Sequence, residues 1–259
     1  TEQSPYIVRS GFTLPQVTPG IGKWAPQNGI KRVVTLVSDY GPGIDAQNSF
    51  KKVFTESGGE VVQELRVPVR NPDFAPFLQR VRDAKPDAVF VFVPSGVGSV
   101  FMKQFAERGL DKAGIKLIGT GDVTDDDILN DMGNVALGVV TSMHYSAALD
   151  NPANKSYVAG MAKANNGLRP NFHSVGGYDG MHLIYKALEA TKGDTNGDKL
   201  VAAMKGLKWD SPRGPVMLDP ETREMVQNVY ITKVERVNGG LYNVPFDKIE
   251  AVKDPAKIK

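Results

Sequence analysis

The residues Arg32-Val33-Val34-Thr35-Leu36-Val37-Ser38 form a largely apolar, β-branched run. It ends in Asp39-Tyr40-Gly41-Pro42-Gly43, after which a helical pattern takes over. A run that is apolar on both faces predicts a central strand of a parallel sheet, because a half-exposed strand would alternate. The Asp-Tyr-Gly-Pro-Gly turn then falls where the strand's carboxyl end meets the next helix, the place where open α/β sheets bind ligands. Tyr40 is an aromatic side chain at that place. Two readings of it stay open: it faces a ligand, or it packs on its own loop.

The same rhythm continues on both sides of this run. Pro5 to Phe12 is a short strand-like stretch, and a helix is predicted from about Pro15 to Ala25, weakened or kinked by Pro19. A helix from Ile44 to Glu56 places Ala46, Phe50, Val53 and Phe54 on one face, and Ser57-Gly58-Gly59 stops it. A strand over 61–69 precedes a helix capped by Asp73, with Phe74, Phe77, Leu78 and Val81 at helical spacing. Ala88 to Val93 is the most apolar strand of the chain, and Gly96-Val97-Gly98 leads from it into a helix carrying Phe101 and Phe105. A short strand over 116–119, a helix from Asp125 to about Met132 and a strand over 136–143 complete the series. Repeated β-α-β with short loops predicts a doubly wound parallel sheet covered by helices.

After about Ser146 the pattern changes. Helices are predicted over 151–165, with Tyr157, Val158 and Met161 inward, and over 174–191, with Tyr178, Met181, Tyr185 and Leu188 on the buried stripe. A third is capped by Asp198. No strand is legible between 147 and 215, so these helices lack a sheet to pack on. From Pro215 the signals are β again, with Asn238-Gly239-Gly240 as a hairpin turn.

Several function classes are excluded or weakened by composition. The 259 residues carry 31 basic and 29 acidic side chains for a net charge of +2, spread along the chain, which leaves no electrostatic footprint for nucleic acid. No apolar stretch approaches the roughly 20 residues that span a bilayer. With no cysteine, there is no disulfide, thiolate metal site or cysteine nucleophile, and either side of a membrane stays open.

Motifs that could carry chemistry mostly fail on spacing. Gly96-Val97-Gly98-Ser99-Val100-Phe101 follows a strand and opens a helix, but Phe101 replaces the third glycine of a dinucleotide fingerprint. What remains there is a tight βα turn whose helix N-terminus, with Ser95 and Gly96, can meet a polar ligand group. Asp122, Asp125, Asp126, Asp127 and Asp131 form an acidic cluster, but three of them fall in a helix's first turn, where the dipole favours carboxylates, which argues against metal ligands. The Asp194-Thr195-Asn196-Gly197-Asp198 segment lacks the glycine and glutamate of a calcium loop. His144, His173 and His182 are not spaced as a metal set; His144 follows a strand and can face the cleft of Tyr40, while His182 reads as a packed side chain. No cofactor site is legible, and no nucleophile–base pair.

Taken in order, six segments resemble one family: Phe12 to Val17, Val34 to Gly43, Asp87 to Phe92, Lys103 to Leu110, Ile118 to Asp122 and Gly177 to Met181. The chain is similar to the type I periplasmic solute-binding proteins that serve ABC transporters of the branched-chain amino acid class, and within them to binders of aromatic and other small hydrophobic carboxylates. The resemblance implies an α/β fold of the periplasmic binding protein-like I type: one doubly wound parallel-sheet lobe plus part of a second α/β lobe, with ligand clamped between lobes by hinge closure. Mapped onto this chain, residues 1–12 end the first lobe and enter the hinge, 13–145 form the second lobe, 146–224 are a helical return to the first, and 225–259 are a β tail returning to the second. The family's first lobe opens with a β-α series that this chain lacks, which implies a fragment, an incomplete chain or a lobe completed by another copy, with half of the site present and, for a true fragment, self-association through the orphan helices.

The implied function is an extracytoplasmic, non-enzymatic binder that delivers a small carboxylate or branched-chain amino acid to a membrane permease, without cofactor, metal or nucleic acid. The implied ligand-binding residues are Tyr40, Ser95, Gly96, Asp122, His144 and Tyr178. Gly121 stands where amino-acid binders place the acidic residue that meets the ligand's ammonium, with Asp122 beside it, which favours aromatic or aliphatic acids. A ligand-sensing domain of a receptor or regulator, and a nucleotide-dependent enzyme using the Gly96–Gly98 turn, are the alternatives.

Overall fold

The computed structural model describes residues 1–257. The apolar runs become strands β1 (Arg32–Ser38), β2 (Glu60–Val67), β3 (Ala88–Phe92), β4 (Lys116–Thr120) and β5 (Val140–Met143), which pair in parallel in the order β2-β1-β3-β4-β5. Helices α1 (Leu14–Gln27), α2 (Gly41–Glu56), α3 (Ala75–Ala84) and α4 (Gly98–Glu107) cover the sheet. The two faces bury separate cores. One packs Val33, Val37, Phe90 and Phe92 against Ile21, Phe50 and Phe54, with Phe50 stacked on Phe90 at 4.0 Å. The other packs Val34, Leu36, Val89 and Val91 against Leu78, Val81, Phe101 and Phe105. Both faces of β1 and β3 are buried, which is why their sequences do not alternate.

The second half of the chain contributes α5 (Pro152–Ala164), α6 (Phe172–Ala190) and α7 (Gly197–Met204), then β6 (Lys208–Ser211), β7 (Gly214–Leu218), β8 (Met225–Val237) and β9 (Gly240–Val252). Strand β8 is 13 residues long and antiparallel to everything it touches. Its first residues pair with β7, and its middle pairs with both β5 and β9. A single strand therefore joins the small β6-β7 hairpin to the large parallel sheet.

Several sequence expectations are corrected here. The strand-like run near the N-terminus is irregular and keeps a single β-bridge, Arg9 to Glu224. Helix α1 continues through Pro19 and Pro26, because Val17, Ile21 and Ala25 are fully buried and that burial outweighs the missing N–H groups. No helix runs from Asp125 to Met132; two 3-10 segments, Gly121–Thr124 and Leu129–Ala136, flank an extended Asp125. Helix α7 is capped by Asn196, whose side chain accepts the Lys199 N–H, while Asp198 in the first turn accepts the Tyr6 hydroxyl. Residues 147 to 215 do supply a strand, β6, which pairs with β7, and Val216 and Leu218 of β7 with Met225 of β8 give α6 and α7 an apolar surface. The α6 stripe expected to be buried faces outward, with Tyr178 50%, Met181 44% and Tyr185 59% exposed, whereas Val175, Asp179, Leu183 and Ala187 point inward.

The inward face of α6 carries the deepest ion pair among the described residues. Asp179 and Arg213 approach to 2.6 Å with both side chains fully buried. Asp179 also accepts the Trp209 indole N–H and the Ser211 hydroxyl. The Arg213 guanidinium donates to the Ser10 carbonyl and to Gln227 Oε1. One charge pair thus ties the N-terminal segment, α6, the β6-β7 hairpin and the start of β8. Removing one member leaves the other buried and unpaired, so Asp179→Ala is expected to destabilise the protein by about 3–5 kcal/mol in urea unfolding. The double change Asp179→Leu with Arg213→Met is expected to cost less than Asp179→Ala alone; a larger cost would show that the other hydrogen bonds matter more than the charge pair.

Candidate functional site

The carboxyl ends of β1, β3 and β4 open onto a cavity of about 390 Å³, within the usual range for small-molecule sites. The turn after β1 delivers Tyr40 as the N-cap residue of α2, with Pro42 in its first turn. Gly43 makes this possible: a Cβ there would lie 1.8 Å from the Ser38 carbonyl oxygen, so only glycine lets α2 start directly on the strand end. Tyr40 stacks on Phe92 with ring centroids 6.2 Å apart, and the end of β3 adds Pro94 and Ser95. The remaining walls are Phe12, Thr13, Leu14 and Pro15 at the start of α1, together with Asp122, His173, Asp45 and Arg9. The walls mix aromatic and apolar side chains with nearly as many polar ones.

Those polar groups differ in what they already bind. Asp122 is buried, and its Oδ2 accepts the Thr120 hydroxyl at 2.6 Å. Burial pushes its carboxyl up to about 6, against the lowering effect of the Thr120 hydroxyl and its own backbone N–H. The Tyr40 phenol is raised by burial and by the nearby charge of Asp122. The Thr13 hydroxyl oxygen is buried with no hydrogen-bond partner among the described residues. Arg9 is held through Nε by Glu224 at 2.8 Å. Asp45 is exposed, where water satisfies it.

Behind Ser95 lies the acidic cluster. Ser95 Oγ hydrogen bonds Asp125, and Asn171, the N-cap of α6, donates to both Asp125 and Asp127. Asp126 instead accepts the Ala147 N–H and the Asn243 amide. Burial raises the Asp125 carboxyl to about 8, with the Ser95 hydrogen bond opposing and the neighbouring aspartates adding to the rise. These acids are thus fixed by individual partners, not by a helix dipole. The Asn171 bonds and the Arg169 guanidinium, which donates to the Leu241 carbonyl and lies 3.8 Å over the Tyr242 ring, fasten the approach to α6 onto the large sheet's side of the cavity.

Of the six residues the family resemblance singles out, the structure brings Tyr40, Ser95 and Asp122 together around one cavity. Gly96 sits in the exposed turn beside it with φ +90°, and Gly98 is pressed against the Val123 carbonyl, where a Cβ would lie 2.2 Å from the oxygen. The Gly98 end of the turn packs on protein, while Gly96 stays exposed. His144 is corrected: it is fully buried beneath Phe12, stacked at 4.7 Å, and burial holds its pKa well below the ordinary histidine range. It supports the cavity wall without lining it. Tyr178 is also corrected: it packs on Tyr157 at 4.8 Å on the outer face of α6. His182 stacks on Trp209, as a packed side chain does. Phe12, Thr13, Arg9 and His173 escape sequence reasoning, since they come from irregular or terminal positions with no periodic signal.

A family model described as periplasmic binding protein matches residues 1–240. The chain belongs to the periplasmic binding protein family. This binding protein is 45% identical over 256 residues to the Leu/Ile/Val-binding protein homolog 6 of Brucella melitensis biotype 1, covering 98% of the chain and 66% of that relative. It therefore spans about two thirds of the length of the curated relatives it matches. Its fold matches, at a TM-score of 0.96 and 63% identity, a solute binding protein of an ABC transporter from Rhodopseudomonas palustris BisB5 in complex with 3,4-dihydroxybenzoic acid, over 99% of this chain and 70% of the other. A solute binding protein from Rhodopseudomonas palustris HaA2 in complex with p-hydroxybenzoic acid matches at 0.95 and 44% identity, with the same coverage.

The raised Asp125 carboxyl has a consequence for stability against pH. Between the unfolded value near 4 and the folded value of about 8, the folded state holds the proton that the unfolded state has lost, so stability falls as pH rises through this window. Asp125→Asn removes the dependence. Its melting temperature relative to the unmodified protein is expected to rise from pH 5 to pH 9; a difference that is flat with pH would show that Asp125 titrates normally.

Proposed function

We propose that this protein is the extracytoplasmic solute-binding component of an ABC transporter and that it holds a small aromatic carboxylate in the cavity under Tyr40, for delivery to a membrane permease. The observation that carries the reading is the cavity at the strand ends, whose lining sets the rings of Tyr40, Phe92 and Phe12 and the apolar Pro94 beside polar side chains such as Asp122 and Arg9. An aromatic ring fits such walls by stacking and by apolar burial. Relatives with the same fold and 44–63% identity hold hydroxylated benzoates, which supports the same class here. Binding without turnover is the reading for Ser95, whose hydroxyl is paired with Asp125 and meets no histidine among the described residues.

In this proposal residues 13–145 and the tail from 225 form one lobe, and residues 146–224 with the N-terminal segment belong to the other. The cavity lies where Phe12, Thr13 and His173 approach the strand ends from beyond the parallel sheet. Benzoate, 4-hydroxybenzoate, 3,4-dihydroxybenzoate and leucine, each tested by thermal unfolding, separate the ligand classes. An aromatic carboxylate at a hundred times its Kd is expected to add about 2.7 kcal/mol of stability. Tyr40→Ala is expected to raise its Kd by about tenfold through the lost ring contact. Stabilisation by none of the aromatic acids, or by leucine alone, would overturn the aromatic-carboxylate reading.

A further inference from the structure

We propose that Asp122 is the specificity-determining group of the cavity and that it selects aromatic carboxylates bearing a ring hydroxyl over those without one. The inference rests on the proposed function above and names the ligand feature that the site reads.

Asp122 lies just past the carboxyl end of β4, inside a 3-10 turn that is buried at every position. Its Oδ2 is occupied by the Thr120 hydroxyl, which fixes the carboxyl's rotation. Asp122 is at the same time one of the residues lining the cavity, and it is the only buried acid that does so among the described residues. The other lining acid, Asp45, is exposed and stays hydrated whatever the cavity holds. A carboxylate is an acceptor with lone pairs on both oxygens, and the Thr120 hydroxyl engages only part of that capacity.

The capacity that the Thr120 hydroxyl and the residue's own backbone N–H leave open has to be met by water or by a ligand. A ligand that displaces that water with an aromatic ring and offers no donor leaves a buried carboxylate short of hydrogen bonds, which is costly. A ring hydroxyl restores the bond, and a bond to an ionised acceptor is stronger than one between neutral groups. Sites built to bond a hydroxyl reject the analogue lacking it far more strongly than an apolar pocket rejects a wrong shape. The ligand's own carboxylate is a poor neighbour for Asp122, because like charges repel. It is directed to a lining cation supplied by another element, the Arg9 guanidinium. Tyr40 and Asp122 line the same cavity, so a ring packed on the Tyr40 side chain can present an edge hydroxyl to the Asp122 carboxylate.

The test is calorimetric titration of the purified protein and of Asp122→Ala and Asp122→Asn with benzoate, 3-hydroxybenzoate and 4-hydroxybenzoate. The unmodified protein is expected to bind at least one hydroxylated probe ten or more times tighter than benzoate. In Asp122→Ala the ratio of the two Kd values is expected to collapse to within threefold of one. Asp122→Asn, which keeps the shape and an acceptor oxygen, is expected to fall between, and its ratio is decisive if the alanine variant does not fold. An unmodified protein that binds benzoate and the hydroxylated probes equally, or a ratio that survives in the variants, overturns the role of Asp122 and leaves the proposed function standing. An unmodified protein that binds none of the three overturns both.

Discussion

The buried pair of Arg213 and Asp179 is the interaction on which the second half of the molecule depends. Two charges withdrawn from water are tolerable only when every lone pair and proton finds a partner. Here those partners are the carbonyl of Ser10, the amide of Gln227, the hydroxyl of Ser211 and the indole of Trp209. The cost of burying the ions is offset only when four chain segments, far apart in sequence, arrive together. The same need extends to Gln16 in α1, whose amide bonds the carbonyls of Met225 and Val252 and accepts from Gln227. A polar network of this kind specifies the arrangement of segments more than it adds net stability.

Much of the large sheet is legible in the sequence because its central strands β1 and β3 are buried on both faces and are followed by glycine- and proline-containing turns. β1, β3 and the amphipathic helices α2 to α4 need only local pattern. What is not legible is long-range. β6, with Lys208, Trp209 and Asp210, has no apolar alternation, and it is a strand because the chain turns back at Pro212-Arg213 and pairs with β7. On α6 the spacing permits two stripes. Aromatic area favours the wrong one, since the inward face includes Asp179, which looks like a solvent residue until Arg213 reaches it from 34 positions away. Periodicity reports that a helix has a face without saying which neighbour covers it.

The site follows the same division. Tyr40, Ser95 and Asp122 can be found because ligands in open α/β sheets gather at the carboxyl ends of strands, and those ends can be read from apolar runs. Phe12 and Thr13 stand before a helix, and His173 stands inside the first turn of another, so nothing local distinguishes them from ordinary termini. His144 also sits at a strand end, but its side chain points beneath Phe12 instead of past it. A strand end gives a residue's height on the sheet, and only the packing above decides whether it reaches the opening. The acidic run 122–127 divides in the same way: Asp122 belongs to the cavity, Asp125 to Ser95 and α6, and Asp126 to the loop at Ala147.

Strand β8 pairs with β7 through its first residues and with β5 and β9 farther on, and its ladder with β9 is irregular between Gln227 and Val229. That irregularity falls beside the Gln227 side chain, where the amide clasps Gly11, Gln16 and Arg213. A bulge is the place where a continuous strand bends and twists at least cost. β8 has a second irregularity between Ile231 and Thr232, so its course from the hairpin to the parallel sheet bends at two places, and the first is tied by the Gln227 amide to the N-terminal segment, α1 and Arg213.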